Sequence, residues 1–267
     1  MTNITIGFIG AGNMASSIAG GLIHTGYSPK QLWLNDIDEA RLTALANSLG
    51  VNSSTQYSDV IPQCQVLVLA VKPQVMEQVC TQIAPLLPND VLVISIAAGI
   101  QVASLQAWLG AVPVVRVMPN TPALVQSGAS GLFASPEVSA AQQQQAEALM
   151  NSVGKSVWLA EEKQMDAVTA VSGSGPAYFF LLMENMIESA QQLGLDKNTA
   201  TTLVLQTALG AAKLANESDV GPATLRERVT SPGGTTAAAL NCLAEGGFSE
   251  LVHQALNAAK QRSEELG

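Results

Sequence analysis

The chain has 267 residues, 48 % of them apolar and only 12 % charged, with a formal net charge of −9. That length suits two domains, or one large one, and leaves room for a proper core. The acidic balance, with no cluster of cations, argues against a nucleic-acid partner, which would need basic patches to release counterions. The longer apolar runs, such as Val66–Val71, are too short to span a bilayer, and no basic–apolar–small leader precedes the first strand. An unexported, cytoplasmic protein with no membrane partner is expected. So little charge also predicts helices buried against a second subunit.

The first element, Ile4–Ile9, reads as an apolar strand that breaks at Gly10-Ala11-Gly12 into a helix-like stretch from Met14 to His24. Gly10 permits the tight turn, and Gly12 lets the backbone approach a pyrophosphate where any Cβ would collide. Ala15 occupies the position where a small side chain allows close helix–strand packing. Helix amides then face the phosphates, so the turn itself needs no cation. In this strand–turn–helix setting the segment from Gly10 to Met14, with Ala11, Gly12 and Asn13 between, predicts a dinucleotide site.

Further strands are expected at Gln31–Asn35, near Val51, and at Val66–Val71, Val91–Ile96 and Val112–Met118. Between them lie a helix at Asp38–Leu49 with Asp38 as N-cap, a turn at Tyr57–Ile61, and helices from Pro73 to Pro85 and at Val102–Trp108. Near-continuous apolar strands alternating with helices imply a parallel sheet covered on both faces, with a ligand beyond the strands' carboxyl ends. Ser130–Ala134 and Ser156–Leu159 read as two more strands around a helix at Ser139–Asn151.

After Glu161 the strand signal stops. Lys163–Leu193 reads as one long helix interrupted at Gly173-Ser174-Gly175-Pro176, where the proline removes a backbone donor. Helices at Asn198–Ala215, Pro222–Val229, Thr235–Glu245 and Ser249–Leu266 follow, several apolar nearly all round. The division is placed between 1–162, the dinucleotide-binding part, and 163–267, an all-helical part too small to cover such surfaces alone. An obligate homodimer is expected.

Cys64, Cys80 and Cys242 cannot all pair and fit no zinc template, so structural thiols and no metal site are expected. His24 and His253 fall in helices, His253 with only Glu250 a turn away, and read as surface or packing residues.

A nicotinamide cofactor implies hydride transfer. Oxidising a hydroxy acid calls for a base, and no lysine occurs between Lys163 and Lys197, where related 3-hydroxyacid dehydrogenases carry one. A protonated cyclic imine accepts hydride without a strong acid and needs mainly shape, a carboxylate clamp and a modest proton donor. The segment Thr230-Ser231-Pro232-Gly233-Gly234-Thr235-Thr236 offers a turn, helix-entry amides and hydroxyls for that purpose, although it also reads as an ordinary helix start after a loop.

The chain resembles the pyrroline-5-carboxylate reductase family over essentially its full length. The resemblance rests on Gly7-Phe8-Ile9-Gly10-Ala11-Gly12-Asn13-Met14, Ala70-Val71-Lys72-Pro73, Ser95-Ile96-Ala97-Ala98-Gly99 and Arg116-Val117-Met118-Pro119-Asn120-Thr121-Pro122. It continues in Val171-Ser172-Gly173-Ser174-Gly175-Pro176-Ala177-Tyr178 and in the Ser231–Thr236 turn. It implies an α/β fold, with an N-terminal Rossmann-type doubly wound, mainly parallel sheet followed by an all-α substrate-binding and dimerisation domain. It also implies reduction of 1-pyrroline-5-carboxylate to L-proline with NADPH or NADH, by a homodimer that can assemble into a larger ring of dimers.

By the same resemblance, Ala70, Val71, Lys72 and Pro73 face the cofactor's ribose and nicotinamide, and Ala97, Ala98 and Gly99 let its ring lie close. Lys72 also reads as a solvated strand-end cation, and Ala97–Gly99 as an ordinary turn. Ser231, Gly234, Thr235 and Thr236 would bind the substrate carboxylate and ring nitrogen, with Thr236 as proton donor; an acid near Asp219 is a further candidate. Asn120 would hydrogen-bond either the cofactor or a loop. The glycine turn and the Thr236 corner are expected to serve one pocket, across two protomers. Asn35 and Asp36 close the second strand: Asn35 tolerates a 2′-phosphate, whereas Asp36 favours NADH if it points inward and is a mere turn residue if it does not. Alternative readings are a related reductase for another cyclic imine or a 3-hydroxy acid, and a non-catalytic NAD(P)-binding protein.

Overall fold

Alternation of apolar residues along short strands builds two cores, one on each face of a sheet. In a computed structural model that describes residues 4–267, β1 (Ile6–Ile9), β2 (Leu32–Asn35), β3 (Asn52–Ser53), β4 (Val66–Leu69) and β5 (Leu92–Ser95) are joined by β6 (Val114–Met118), β7 (Gly128–Ala134) and β8 (Gly154–Trp158). They form one 8-stranded sheet in the order β3-β2-β1-β4-β5-β6-β7-β8. Every neighbouring pair is parallel except β6 with β7.

Ile6, Phe8, Val66, Val68, Leu92 and Ile94 point into one core, and Ile9, Leu67, Leu69 and Val93 into the other. Because successive side chains of a strand face opposite sides, these near-continuous apolar runs are stable only with helices on both faces. α1 (Asn13–His24) and α2 (Glu39–Leu49) pack on the first face, the short α3 (Tyr57–Val60) follows, and α4 (Met76–Ile83) and α5 (Val102–Leu109) cover the second. α6 (Ala140–Asn151) returns to the first face, started by a capping box between Ser139 and Gln142.

Caps set the local boundaries. Asp38 accepts the Arg41 amide to open α2, and Gly50, left-handed at φ +69°, closes it. The predicted helix after Pro73 is real but begins as a short 3₁₀ turn, Pro73–Val75, before α4.

Past β8 the helices are α7 (Gln164–Val168), α8 (Gly175–Gln192), α9 (Lys197–Glu217), α10 (Pro222–Arg228), α11 (Thr235–Glu245) and α12 (Phe248–Leu266). The chain forms two compact units, residues 4–174 with Ala259–Gly267, and Gly175–Ala258. The compact boundary thus lies beyond the expected 162/163 division, for two reasons. α7 packs against β7, and the last turns of α12 join the sheet-bearing unit, where the Ser263 hydroxyl donates to Asp166 at 2.7 Å. Strand loss marks where the sheet ends in sequence, whereas compactness follows contacts that sequence does not display.

Candidate functional site

The glycine turn has the conformation its residues require. Gly10 sits at φ +99°, and its N–H donates to the Asn35 carbonyl at 2.8 Å. A Cβ there would lie 2.7 Å from the Ala70 carbonyl oxygen, so only glycine fits. Gly12 is different. It is the N-cap of α1 in extended conformation, makes no side-chain cap, and among the described residues, its chain neighbours aside, has no atom within 4 Å of where a Cβ would stand. Uncapped helix amides therefore face open space, the arrangement that accepts a pyrophosphate. Ala15 is fully buried beneath the turn.

Outside the carboxyl ends of β1, β2 and β4 lies a cleft of about 460 Å³. It gathers Gly10, Gly12, Asn35, Asp36, Ala70, Val71 and Lys72 from among the expected residues. Ala11 is buried and contributes its N–H, while Asn13 is exposed at the helix start and Met14 packs against the core.

Asp36 points inward. Its Oδ2 accepts the Ala11 N–H at 2.7 Å and the Arg41 Nη2 at 2.6 Å, and its Oδ1 accepts the Asp38 N–H at 3.0 Å. Burial pushes this carboxyl up, but the Asp38 and Ala11 amides and the Arg41 guanidinium outweigh it and hold the carboxyl below its ordinary value. The Asn35 side chain turns away to the Ser54 carbonyl at 2.8 Å. Arg41 and Tyr57 complete this end of the cleft. Burial, followed by the negative charge of Asp36, raises the Tyr57 hydroxyl. Sequence reading missed both residues; the one available signal was that Arg41 stands in the first turn of the helix capped by Asp38.

Pro73, Ala97, Ala98, Gly99 and Asn120 do not line the cleft. Ala97 and Gly99 follow the carboxyl end of β5, Gly99 at φ +77° with the Leu266 carbonyl 2.9 Å from its would-be Cβ. Beside them, Glu162 Oε1 accepts both the Val102 N–H at 2.8 Å and the nearly buried Arg116 at 2.9 Å, fixing the start of α5. Asn120, expected to bond either the cofactor or a loop, donates Nδ2 to the Ser172 carbonyl and accepts the Ala129 N–H.

The Ser231–Thr236 turn belongs to the helical unit. Gly233 adopts φ +70°, the Gly234 N–H donates to the Ser231 carbonyl at 3.0 Å, and α11 starts after Gly234 with no side-chain cap. The first turn of α11 has no side-chain cap, and Ser231 and Thr236 add hydroxyls to the same turn, groups of the kind that hold a carboxylate. Asp219 is exposed in the bend before Pro222. His253 pairs with Asn257 rather than Glu250, which bonds Gln254. Among the described residues no group of three or more His, Cys, Asp or Glu side chains is arranged to hold a metal ion.

Residues 162–266 match the family model described as pyrroline-5-carboxylate reductase dimerisation, and residues 5–99 match that of an NADP oxidoreductase, coenzyme F420-dependent. The chain is 53 % identical to a pyrroline-5-carboxylate reductase of Pseudomonas aeruginosa, covering 100 % of this chain and 98 % of that one. It superposes on the solved reductase of Coxiella burnetii with a TM-score of 0.96 at 42 % identity, covering 99 % and 98 % of the two chains. For the Plasmodium falciparum pyrroline carboxylate reductase, solved with NADP bound, the TM-score is 0.87 at 32 % identity, covering 100 % and 99 %.

Proposed function

Because this chain belongs to the pyrroline-5-carboxylate reductase family, we propose that it reduces 1-pyrroline-5-carboxylate to L-proline with NADPH or NADH, the last step of proline synthesis. The observation that carries the reading is the open cradle at Gly12, where uncapped amides of α1 face a space that no other described residue fills. When bound, a reduced nicotinamide supplies the hydride that adds to the imine carbon.

The protein's part is binding, orientation and one proton. Gly12, Asn13 and Met14 hold the pyrophosphate through their amides and the α1 dipole, on a turn shaped by Gly10 and Ala11, whose own N–H groups go to Asn35 and Asp36. Asn35, Asp36 and Arg41 frame the adenosine ribose. The inward Asp36 disfavours a 2′-phosphate by charge, and Arg41 offsets that charge, so both cofactors are accepted. Ala70, Val71 and Lys72 face the reacting end from within the cleft, and Pro73, Ala97, Ala98 and Gly99 stand outside it, past the carboxyl ends of β4 and β5. Ser231, Gly234 and Thr235 bind the substrate carboxylate through amides and hydroxyls. Thr236 passes a proton to the ring nitrogen as the C=N bond becomes C–N.

A homodimer is part of this reading. Within Gly175–Ala258 the only buried apolar side chains among the described residues are Ala200 and Val204, whereas Phe179, Phe180, Leu181 and Leu209 are exposed. Each large side chain left wet forgoes about 1.5–3 kcal/mol. A second copy covers them, and rings of dimers are the next level of assembly. Among the described residues no helix is long and apolar enough to cross a membrane, and the cytoplasm is the proposed compartment.

The test follows the loss of reduced-nicotinamide absorbance with pyrroline carboxylate, then with other cyclic imines and 3-hydroxy acids. The pyrroline should be turned over fastest. Thr236→Ala should lower kcat about tenfold to a thousandfold with a smaller rise in KM. Turnover confined to hydroxy acids, or none at all, defeats the proposal.

A further inference from the structure

The first helix past the sheet changes its winding. α7 runs into five residues of π-helix, Thr169–Gly173, in which the Ser174 N–H reaches back to the Thr169 carbonyl at 2.8 Å. Such wide turns are rare and persist where surrounding structure holds them.

Two neighbours hold this one. The buried Asn120, just beyond β6, donates Nδ2 to the Ser172 carbonyl at 3.0 Å and accepts the Ala129 N–H at Oδ1, 2.8 Å away. Met118 packs so closely on Gly173 that a Cβ there would stand 2.7 Å from Met118 Cε. One amide therefore ties three segments together: the end of β6, the start of β7 and the π-turn. Since β6 is parallel to β5, and β5 to β4, this knot lies at the sheet's carboxyl end, outside which open α/β sheets bind ligands.

We infer that Asn120 is a positioning residue for the reduction, holding the π-turn Thr169–Gly173 in one register beyond the carboxyl end of β6. The inference rests on the activity proposed above. It assigns Asn120 no contact with substrate or cofactor. Its effect passes through the Ser172 carbonyl.

Asn120→Asp is the informative variant. It keeps the acceptor for Ala129 but, once ionised, loses the donor and sets a negative charge against the Ser172 carbonyl. At neutral pH, kcat/KM for pyrroline carboxylate should fall about tenfold to a hundredfold, the scale of a small misplacement. Cofactor affinity, read by fluorescence titration, should change less than about threefold, because the knot lies outside the cofactor's own contacts. As pH falls, the protonated acid can donate again, so activity relative to the parent should climb; Asn120→Ala should show no such recovery. Hydrogen exchange gives a readout independent of turnover: the Ser174 amide should lose protection in Asn120→Ala while amides of β4 and β5 keep theirs. Parent-like turnover of Asn120→Asp at neutral pH overturns the inference. So does unchanged Ser174 exchange, or a loss that is equal at every pH and matched by lost cofactor affinity. A parent that fails to reduce the imine instead defeats the proposed activity, and the exchange rates still decide the brace.

Discussion

Asp36 and Arg41 meet at 2.6 Å beside the glycine turn, the carboxylate only 7 % exposed and the guanidinium 54 %. The pair sets an anion deep in the cleft and a half-exposed cation at its mouth. Removing the cation should therefore penalise the cofactor bearing a 2′-phosphate. Arg41→Ala is expected to lower kcat/KM about tenfold to a hundredfold with NADPH, the worth of a hydrogen bond to a charged group. With NADH the fall should stay below about threefold, since no charge is lost opposite a ribose hydroxyl. Equal losses with both cofactors would place Arg41 outside the ribose site.

The same carboxylate links folding to acid. Its folded-state pKa lies below the ordinary carboxylate value of about 3.9. The stability it contributes is fully present above the unfolded pKa and is lost as pH falls through the folded one. Urea unfolding at a series of pH values below about 5 should show the parent losing stability more steeply than Asp36→Asn. Parallel acid limbs would mean that the carboxyl titrates alike in both states.

Two glycines of one turn should respond differently to alanine. At Gly10 the φ of +99° and the Ala70 carbonyl both oppose a Cβ, and the backbone conformation alone costs about 1–3 kcal/mol. Gly10→Ala should melt several degrees lower. Gly12 has an ordinary φ of −77° and open space beside it. Gly12→Ala should melt with the parent yet bind cofactor at least about tenfold more weakly, because the methyl takes the pyrophosphate's place. Calorimetry and cofactor titration on both variants separate the two effects, and parent-like affinity in Gly12→Ala would empty the cradle of its role.

Thiol chemistry should follow burial. Cys64 and Cys80 are buried, and burial pushes each thiol up to about 12; Cys64 also donates to the Val60 carbonyl at 3.1 Å. Cys242 is exposed. Since the thiolate is the reactive form, a native-state titration with a disulfide reagent should modify no more than one thiol per chain quickly, and all 3 after denaturation. Fast modification of two would show that one face of the sheet opens easily.

Legibility tracked the range of the forces involved. Asp38 as N-cap, the strand runs and the helix Thr235–Glu245 were readable because neighbours in sequence determine them. The glycine turn was readable for the same reason. Arg41 and Tyr57 were not, since only the folding of α2 and α3 toward β2 brings them to Asp36. The interruption at Gly173–Pro176 was visible as a break, but its form was not: the π-turn meets Asn120 and Met118, both distant in sequence.

By itself the sequence determined that a doubly wound sheet carries a glycine turn at Gly10–Gly12 and that helices follow it, because periodicity and backbone freedom act over a few residues. Tertiary structure alone decided that Asp36 faces inward, that β7 runs against β6, that Asn120 binds Ser172 rather than lining the cleft, and that Ala259–Gly267 returns to the first unit. Each of those depends on which buried polar group finds which partner across the chain. That choice is made only when the packed interior leaves one arrangement with its hydrogen bonds satisfied.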